Sequence, residues 1–347
     1  MFELLKRLCD AHGISGYEDE VREVVKAELE SYVDEIRVDK LGNLICVKNG
    51  SEFKEMVCAH MDEIGFMVKS IDEKGFIRFA PIGGWFSQIA LGQRVILHGE
   101  RKVYGVVGCK PPHVMRDEER KKAVEFRDMF IDVGARSRDE VREMGIEIGT
   151  PITIDRELVR MGDRVTGKAL DDRAGLAVMI EALKRTKSTA TIYAVATVQE
   201  EVGLKGARVS AFALEPDVAL ALDVCVATDF PGAESIHMDV KLGSGPVITI
   251  VDASGRGLIA SKNVVRWLRE TAEELKIPYQ LEVAEGGTTD ATAIQLTKEG
   301  IPSGVVSVPA RYIHSPVEVV DLKDLENSAN LVAKALERAE RYFEKSY

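Results

Sequence analysis

None of the five cysteines (Cys9, Cys46, Cys58, Cys109, Cys225) stands in a Cys-x-x-Cys spacing. Neither a disulfide framework nor a thiolate zinc site is therefore expected. Cys58 and Cys225 lie in apolar runs and read as small buried hydrophobes. Long hydrophobic runs are missing too; none approaches the roughly 20 residues of a membrane-spanning helix. The opening Met1-Phe2-Glu3-Leu4-Leu5-Lys6-Arg7 breaks its apolar character with charge, unlike a secretory signal. A cytoplasmic protein with no membrane partner is expected. Basic blocks are lacking as well. Arg120-Lys121-Lys122 is flanked by Asp117, Glu118, Glu119 and Glu125, and the formal net charge is −11. Nucleic-acid phosphates would be repelled, so no nucleic-acid partner is expected. Asn and Gln are few beside Glu, Lys and Arg, a composition common in proteins of hot habitats.

What is present describes an ordinary globular chain, 45% hydrophobic and 30% charged. At 347 residues it exceeds one comfortable core, which predicts a large domain and a smaller one. Helical periodicity covers Phe2 to Ala11 and Glu18 to Leu29, joined by Gly13-Ile14-Ser15-Gly16. A hairpin is predicted around Lys40-Leu41-Gly42, and a short apolar strand over Met56 to Ala59. From about Val68 to Val165 short β-like pieces (Phe76 to Phe79, Arg94 to Leu97, Val103 to Val107) alternate with Gly and Pro turns. This texture predicts a small β-rich module, residues 68–165, inserted into a larger domain formed by 1–67 and 166–347. After Gly167 helices (Arg173 to Lys187, Ala207 to Leu214, Asn263 to Leu275, Ala291 to Lys298, Leu322 to Phe343) alternate with apolar strands (Thr191 to Val198, Val218 to Leu222, Val305 to Val308). The class predicted is α/β: a sheet flanked by helices on both faces.

In such sheets functional groups gather where strands end. His60 and Asp62 follow the strand ending at Ala59, and Asp171-Asp172 open a helix. Glu200-Glu201 follow the strand Thr191 to Val198, Asp223 ends Val218 to Leu222, and His314 comes after Val305 to Val308. Taken singly, each has a plainer reading: an N-cap for the Asp pair, a solvated turn for the Glu pair, a structural role for each His. Together, two imidazoles and three or four carboxylates at one edge suit zinc, cobalt or manganese. Two dications carry about +4, which three carboxylates and a hydroxide balance. Within Glu200-Glu201 one residue can coordinate while the other accepts a proton. Asp62 is placed to orient the second nitrogen of His60. A glycosidase would need two carboxyls flanking a sugar, and would leave His60, Asp171 and His314 without a task.

These segments bear a resemblance. Gly13-Ile14-Ser15-Gly16-Tyr17-Glu18, Ala59-His60-Met61-Asp62-Glu63-Ile64-Gly65 and Gly167-Lys168-Ala169-Leu170-Asp171-Asp172-Arg173 are similar to segments of the M42 metallo-aminopeptidases, the TET peptidases and their kin. So are Gln199-Glu200-Glu201-Val202-Gly203 and Tyr312-Ile313-His314-Ser315-Pro316, and the likeness runs over essentially the whole chain. The resemblance implies a zinc-peptidase-like mixed sheet with a PDZ-like dimerisation insert. It implies two divalent ions per subunit, zinc or cobalt, bridged by Asp171. His60 and Asp223 complete one site, Glu201 and His314 the other, with Asp172 outside the ligand set. Glu200 resembles the general base and Asp62 the partner of His60. The implied substrates are short peptides, cleaved at the N-terminus by subunits assembled as dimers and a tetrahedral dodecamer. Gly286-Gly287-Thr288-Thr289-Asp290 is similar to the family's Gly-rich segment beside the substrate, with two threonines where the family has one; its plainer reading is a helix cap. Two other functions stand beside this one: a related two-metal amidase or carboxypeptidase acting on acylated amino acids, and a non-catalytic assembly scaffold. Of the remaining residues, His12 is expected to cap the first helix as a cation. His237 is either a pocket wall or an ordinary surface histidine, and Trp85 and Phe86 either contact or core residues.

Overall fold

The structure, a computed structural model, describes residues 1–343. Its larger sheet has eleven strands among the described residues. Four strands form its parallel centre: Thr191–Thr197, Lys54–His60, Val218–Val226 and Ser303–Arg311, in that spatial order. They are built from Val, Ile, Leu, Ala and Met, and nearly every residue is buried. Strands buried on both faces need that composition. The hairpin Glu35–Val38 and Leu44–Lys48 closes one side, antiparallel to Thr191–Thr197.

Helices Leu170–Arg185 and Leu322–Leu336 lie together on the sheet, and Lys262–Leu275 brings Trp267 into the same core. The expected tail helix over Leu322 to Phe343 is interrupted. It ends at Leu336, and a separate turn over Glu340–Phe343 brings Phe343 edge-on to Trp267 at 5.5 Å. The helix expected over Ala291 to Lys298 is the shorter Asp290–Ile294.

The β-rich insertion is a closed barrel with its own core, built around Phe66, Ile77, Phe79, Ile131 and Ile152. Its strands run from Gly65–Ile71 to Pro151–Ile154. The strand Val159–Met161 falls within the segment predicted as insertion and Arg164–Gly167 crosses its boundary, yet both belong to the larger sheet: Val159–Met161 pairs with Arg164–Gly167, which pairs with Glu318–Asp321. Leu158 and Val165 supply the reason, because both are buried in the larger core. Gly65 marks the crossing between the two bodies. A Cβ there would stand 2.2 Å from Ile14 Cγ2 and 2.7 Å from the Ile152 carbonyl.

His12 is not the cation expected of it. Burial, reinforced by Lys168 and His98, pushes its pKa down to about 2. The neutral ring shares the Thr153 hydroxyl with His98, each at 2.8 Å.

Candidate active site

Parallel register carries the candidate residues to one edge. Thr197 pairs with His60, Cys58 with Ala221, and Asp223 with Ser307, so the strands finish level with one another. Two groups of ligand atoms result, each within 4.8 Å of its fellows: His60, Asp171 and Asp223, and Asp171, Glu201 and His314. Asp171 belongs to both. Its Oδ1 lies 3.0 Å from His60 Nε2, and its Oδ2 3.3 Å from His314 Nε2. His314 Nε2 is also 3.3 Å from Glu201 Oε1, while Glu200 Oε2 stands 3.9 Å from His60 Nε2.

Local backbone explains the aim of each side chain. Ala169 adopts a left-handed conformation just before Asp171, as does Gln199 just before Glu200. Asp172 joins neither ligand group. Its carboxylate accepts bonds from the Gly175 N–H (2.8 Å) and the His60 N–H (3.2 Å), so it caps the helix and pins the strand end. A Cβ on residue 175 would stand 2.3 Å from Asp172 Oδ1, which reserves that place for glycine.

Asp62 reaches His60 differently from the simple expectation. The carbonyl oxygen of Asp62 makes the 2.9 Å bond to His60 Nδ1, while its carboxylate stays 3.6 Å away. That carboxylate, fully buried, accepts from Ser15 Oγ (2.6 Å), the Glu200 N–H (3.0 Å) and the Glu201 N–H (3.2 Å). One residue thus fixes both the imidazole and the glutamate pair.

Glu318 has a comparable task that sequence reasoning missed. At 2% exposure it accepts from the N–H of Asp171 (2.9 Å) and of His314 (2.8 Å), tying two distant ligand loops together. The one available signal was its position four residues beyond His314.

The electrostatics describe a buried anion cluster. Burial, with Asp223, Asp290 and Glu201 nearby, holds the Glu200 carboxyl well above its usual range. Burial and Asp171 do the same to Asp223. Burial disfavours charge on His314, yet its bonds to Asp171 and Glu201 prevail and raise its pKa to about 11. Carboxylates this crowded and this buried need cations beside them. Imidazole and carboxylate donors are those that divalent zinc or cobalt accepts, so the residues fit two such ions.

A cleft of about 1180 Å³ opens from these ligands. His237 and the run Gly286 to Thr289 line it, and Thr289 takes the N-cap place of the helix Asp290–Ile294 without a side-chain cap bond. Trp85 stacks on Phe66 at 4.4 Å against the barrel core, whereas Phe86 is exposed. No helix among the described residues is long and apolar enough to cross a membrane.

Residues 42–331 match the sequence model of the family described as M42 glutamyl aminopeptidase. Lysyl aminopeptidase of Pyrococcus furiosus is 40% identical over 341 residues, 96% of this chain and 96% of that protein. An aminopeptidase structure from the archaeon Desulfurococcus kamchatkensis superposes with a TM-score of 0.94 at 47% identity, covering 99% of this chain and 96% of that one. The TET1 peptidase of Pyrococcus horikoshii, described as able to assemble into a tetrahedron or a large octahedral shell, aligns at 0.86 and 35% identity over 97% and 98%. With likeness of this extent in both sequence and fold, the chain belongs to the M42 family and is an aminopeptidase, a hydrolase of peptide bonds.

Proposed function

We propose that this aminopeptidase removes N-terminal residues from short peptides with water activated between two divalent ions and Glu200 as general base. The observation that carries the reading is the sharing of Asp171 between two ligand groups. His60 and Asp223 would hold one ion with Asp171; Glu201 and His314 would hold the other. Zinc and cobalt both suit this set. Ions held there would supply Lewis-acid chemistry, lowering the pKa of a water and polarising a carbonyl.

The remaining work falls to the chain itself. Glu200 lines the cleft beside the ligands without belonging to either group. Its carboxylate accepts the water's proton and returns it to the departing amine. Asp62 keeps the Glu200 and Glu201 backbones in register with His60. Glu318 holds the bridging ligand and His314 at their spacing.

The barrel serves, on this reading, as a PDZ-like dimerisation domain. Its exposed Tyr104 and Val106 offer apolar surface for a second copy. Dimers would build the tetrahedral dodecamer, an assembly in keeping with that of the TET1 relative. An amidase acting on acylated amino acids is disfavoured by one observation: among the described residues, the cleft lining contains no Arg or Lys to receive a substrate carboxylate. Family membership leaves the preferred first residue open, since the family description says glutamyl and the Pyrococcus furiosus relative is lysyl.

Glu200→Gln tests the mechanism. It is expected to bind its metals normally and lose turnover by about 10²–10⁴-fold. Turnover near that of the unaltered chain would remove Glu200 from the role of base.

A further inference from the structure

Granting the cleft as an aminopeptidase site, we infer that it selects peptides beginning with Lys or Arg, whose cationic end is received by Glu282 and Asp252. Among the described residues, the lining holds three acids beyond the ligand groups and Glu200, namely Asp252, Glu282 and Glu285, and no Lys or Arg. Glu285 is exposed, but Glu282 and Asp252 are only 5% and 3% exposed.

Among the described residues, neither buried carboxyl forms an ion pair, and the bonds each accepts come from neutral groups. Glu282 Oε2 accepts from Thr249 Oγ1, a neutral donor, at 2.9 Å. Asp252 accepts from the Leu258 N–H and from Thr292 Oγ1, all neutral donors. Burial pushes both carboxyls up, and Asp252 adds to the effect on Glu282. Two neighbouring carboxyls inside a wall are unfavourable as anions until a cation joins them.

Their position suits a side chain in transit from the ligand cluster. Asp223 pairs with Ser307, Ser307 with Val247, and, two residues along, Thr249 with Glu282. Pleating sends Asp223, Ser307, Thr249 and Glu282 to one face, and all four line the cleft. Three strand spacings sideways and two residues along separate the Asp223 and Glu282 Cα atoms by about 16 Å. An extended Lys or Arg side chain, about 6–7 Å long, extends from a residue held beside the ligands toward Glu282. A leucyl side chain stops short and leaves both acids unpaired, and a glutamyl side chain adds a third like charge.

The test uses the metal-loaded full chain and the coumarin amides of lysine, arginine, leucine and glutamate. Lysyl and arginyl amides should exceed leucyl in kcat/KM by about tenfold or more, with glutamyl the poorest, as expected for a charge-assisted bond. Glu282→Gln should lower the lysyl-to-leucyl ratio by about 10- to 100-fold, and Glu282→Asp, which keeps the charge, by less. Faster leucyl or glutamyl hydrolysis in the unaltered chain, or an unmoved ratio in Glu282→Gln, overturns the inference and leaves the peptidase reading standing. Cleavage of none of the four amides overturns both. Should Glu282→Gln fail to fold, inhibition of leucyl hydrolysis in the unaltered chain reads the same pocket. Lysinamide should inhibit more tightly than leucinamide, and equal inhibition contradicts the inference.

Discussion

Asp62→Asn changes one oxygen for an amide and leaves the size of the side chain alone. The carboxylate it replaces accepts three bonds, from Ser15 Oγ, the Glu200 N–H and the Glu201 N–H. An asparagine has only one acceptor atom, and its NH₂ group must face a donor. With the amide oxygen in place of Oδ1, the NH₂ opposes the Glu201 N–H. In the other orientation it opposes the Glu200 N–H. The Ser15 hydroxyl can turn to accept, but a backbone N–H cannot. One buried donor is therefore stranded in either case, which costs about 1–3 kcal/mol. Relief of that conflict moves the glutamate turn, and a misplacement near 1 Å is worth about 10²-fold in rate. Urea unfolding and hydrolysis of an aminoacyl amide measure the two effects on one preparation. Ser15→Ala, which spares both backbone bonds, should cost less in each. Unchanged stability and turnover in Asp62→Asn would refute the argument that this carboxylate fixes the glutamate pair.

Glu318→Gln poses the same conflict between the Asp171 and His314 N–H groups, and should weaken metal affinity by about 10- to 100-fold, read by competition with a chelator. An affinity unaltered by the change would remove Glu318 from the site's support. Acid should loosen the fold through His12. Its folded pKa of about 2 lies below the ordinary 6.5, so the unfolded chain takes up a proton that the folded chain refuses. The stabilisation is present above pH 6.5 and is lost as pH falls. From pH 7.5 to 5.5 the loss is about 1.4 kcal/mol. The stability difference between the unaltered chain and His12→Gln should shift by that amount across this window, and a constant difference would contradict the burial of His12 as a neutral ring.

The parts visible in the sequence are those set by short-range physics. Fully apolar strands such as Met56 to Ala59 and Val218 to Leu222 announce a sheet covered on both faces. Acids and histidines just beyond such strands announce the edge at which Asp171, Glu201, Asp223, His60 and His314 meet. What escaped is set by long-range pairing. Gln280–Val283 carries no strong period of its own and becomes a strand by pairing with Val247–Val251, whose β-branched run is itself strand-like and which pairs with Ser303–Arg311. Glu318–Asp321 has acids at both ends and resembles an exposed strand, yet it is buried because the hairpin ending at Gly167 covers it. The positioning role of Glu318 went unseen for the same reason, since nothing local distinguishes a carboxylate that clamps backbone from one that faces water. Asp62 illustrates a finer limit. Its spacing from His60 foretold contact, but not that the carbonyl would touch the ring while the carboxylate turned to the glutamates.

Metal content per chain, measured by elemental analysis after loading with zinc and removal of excess, tests the shared-ligand site most directly. The unaltered chain should hold about two ions, and Asp223→Asn about one. Asp171→Asn should hold fewer than one, because a single substitution disturbs both positions. Full occupancy of both positions in Asp171→Asn, or an active enzyme free of divalent metal, would contradict the account.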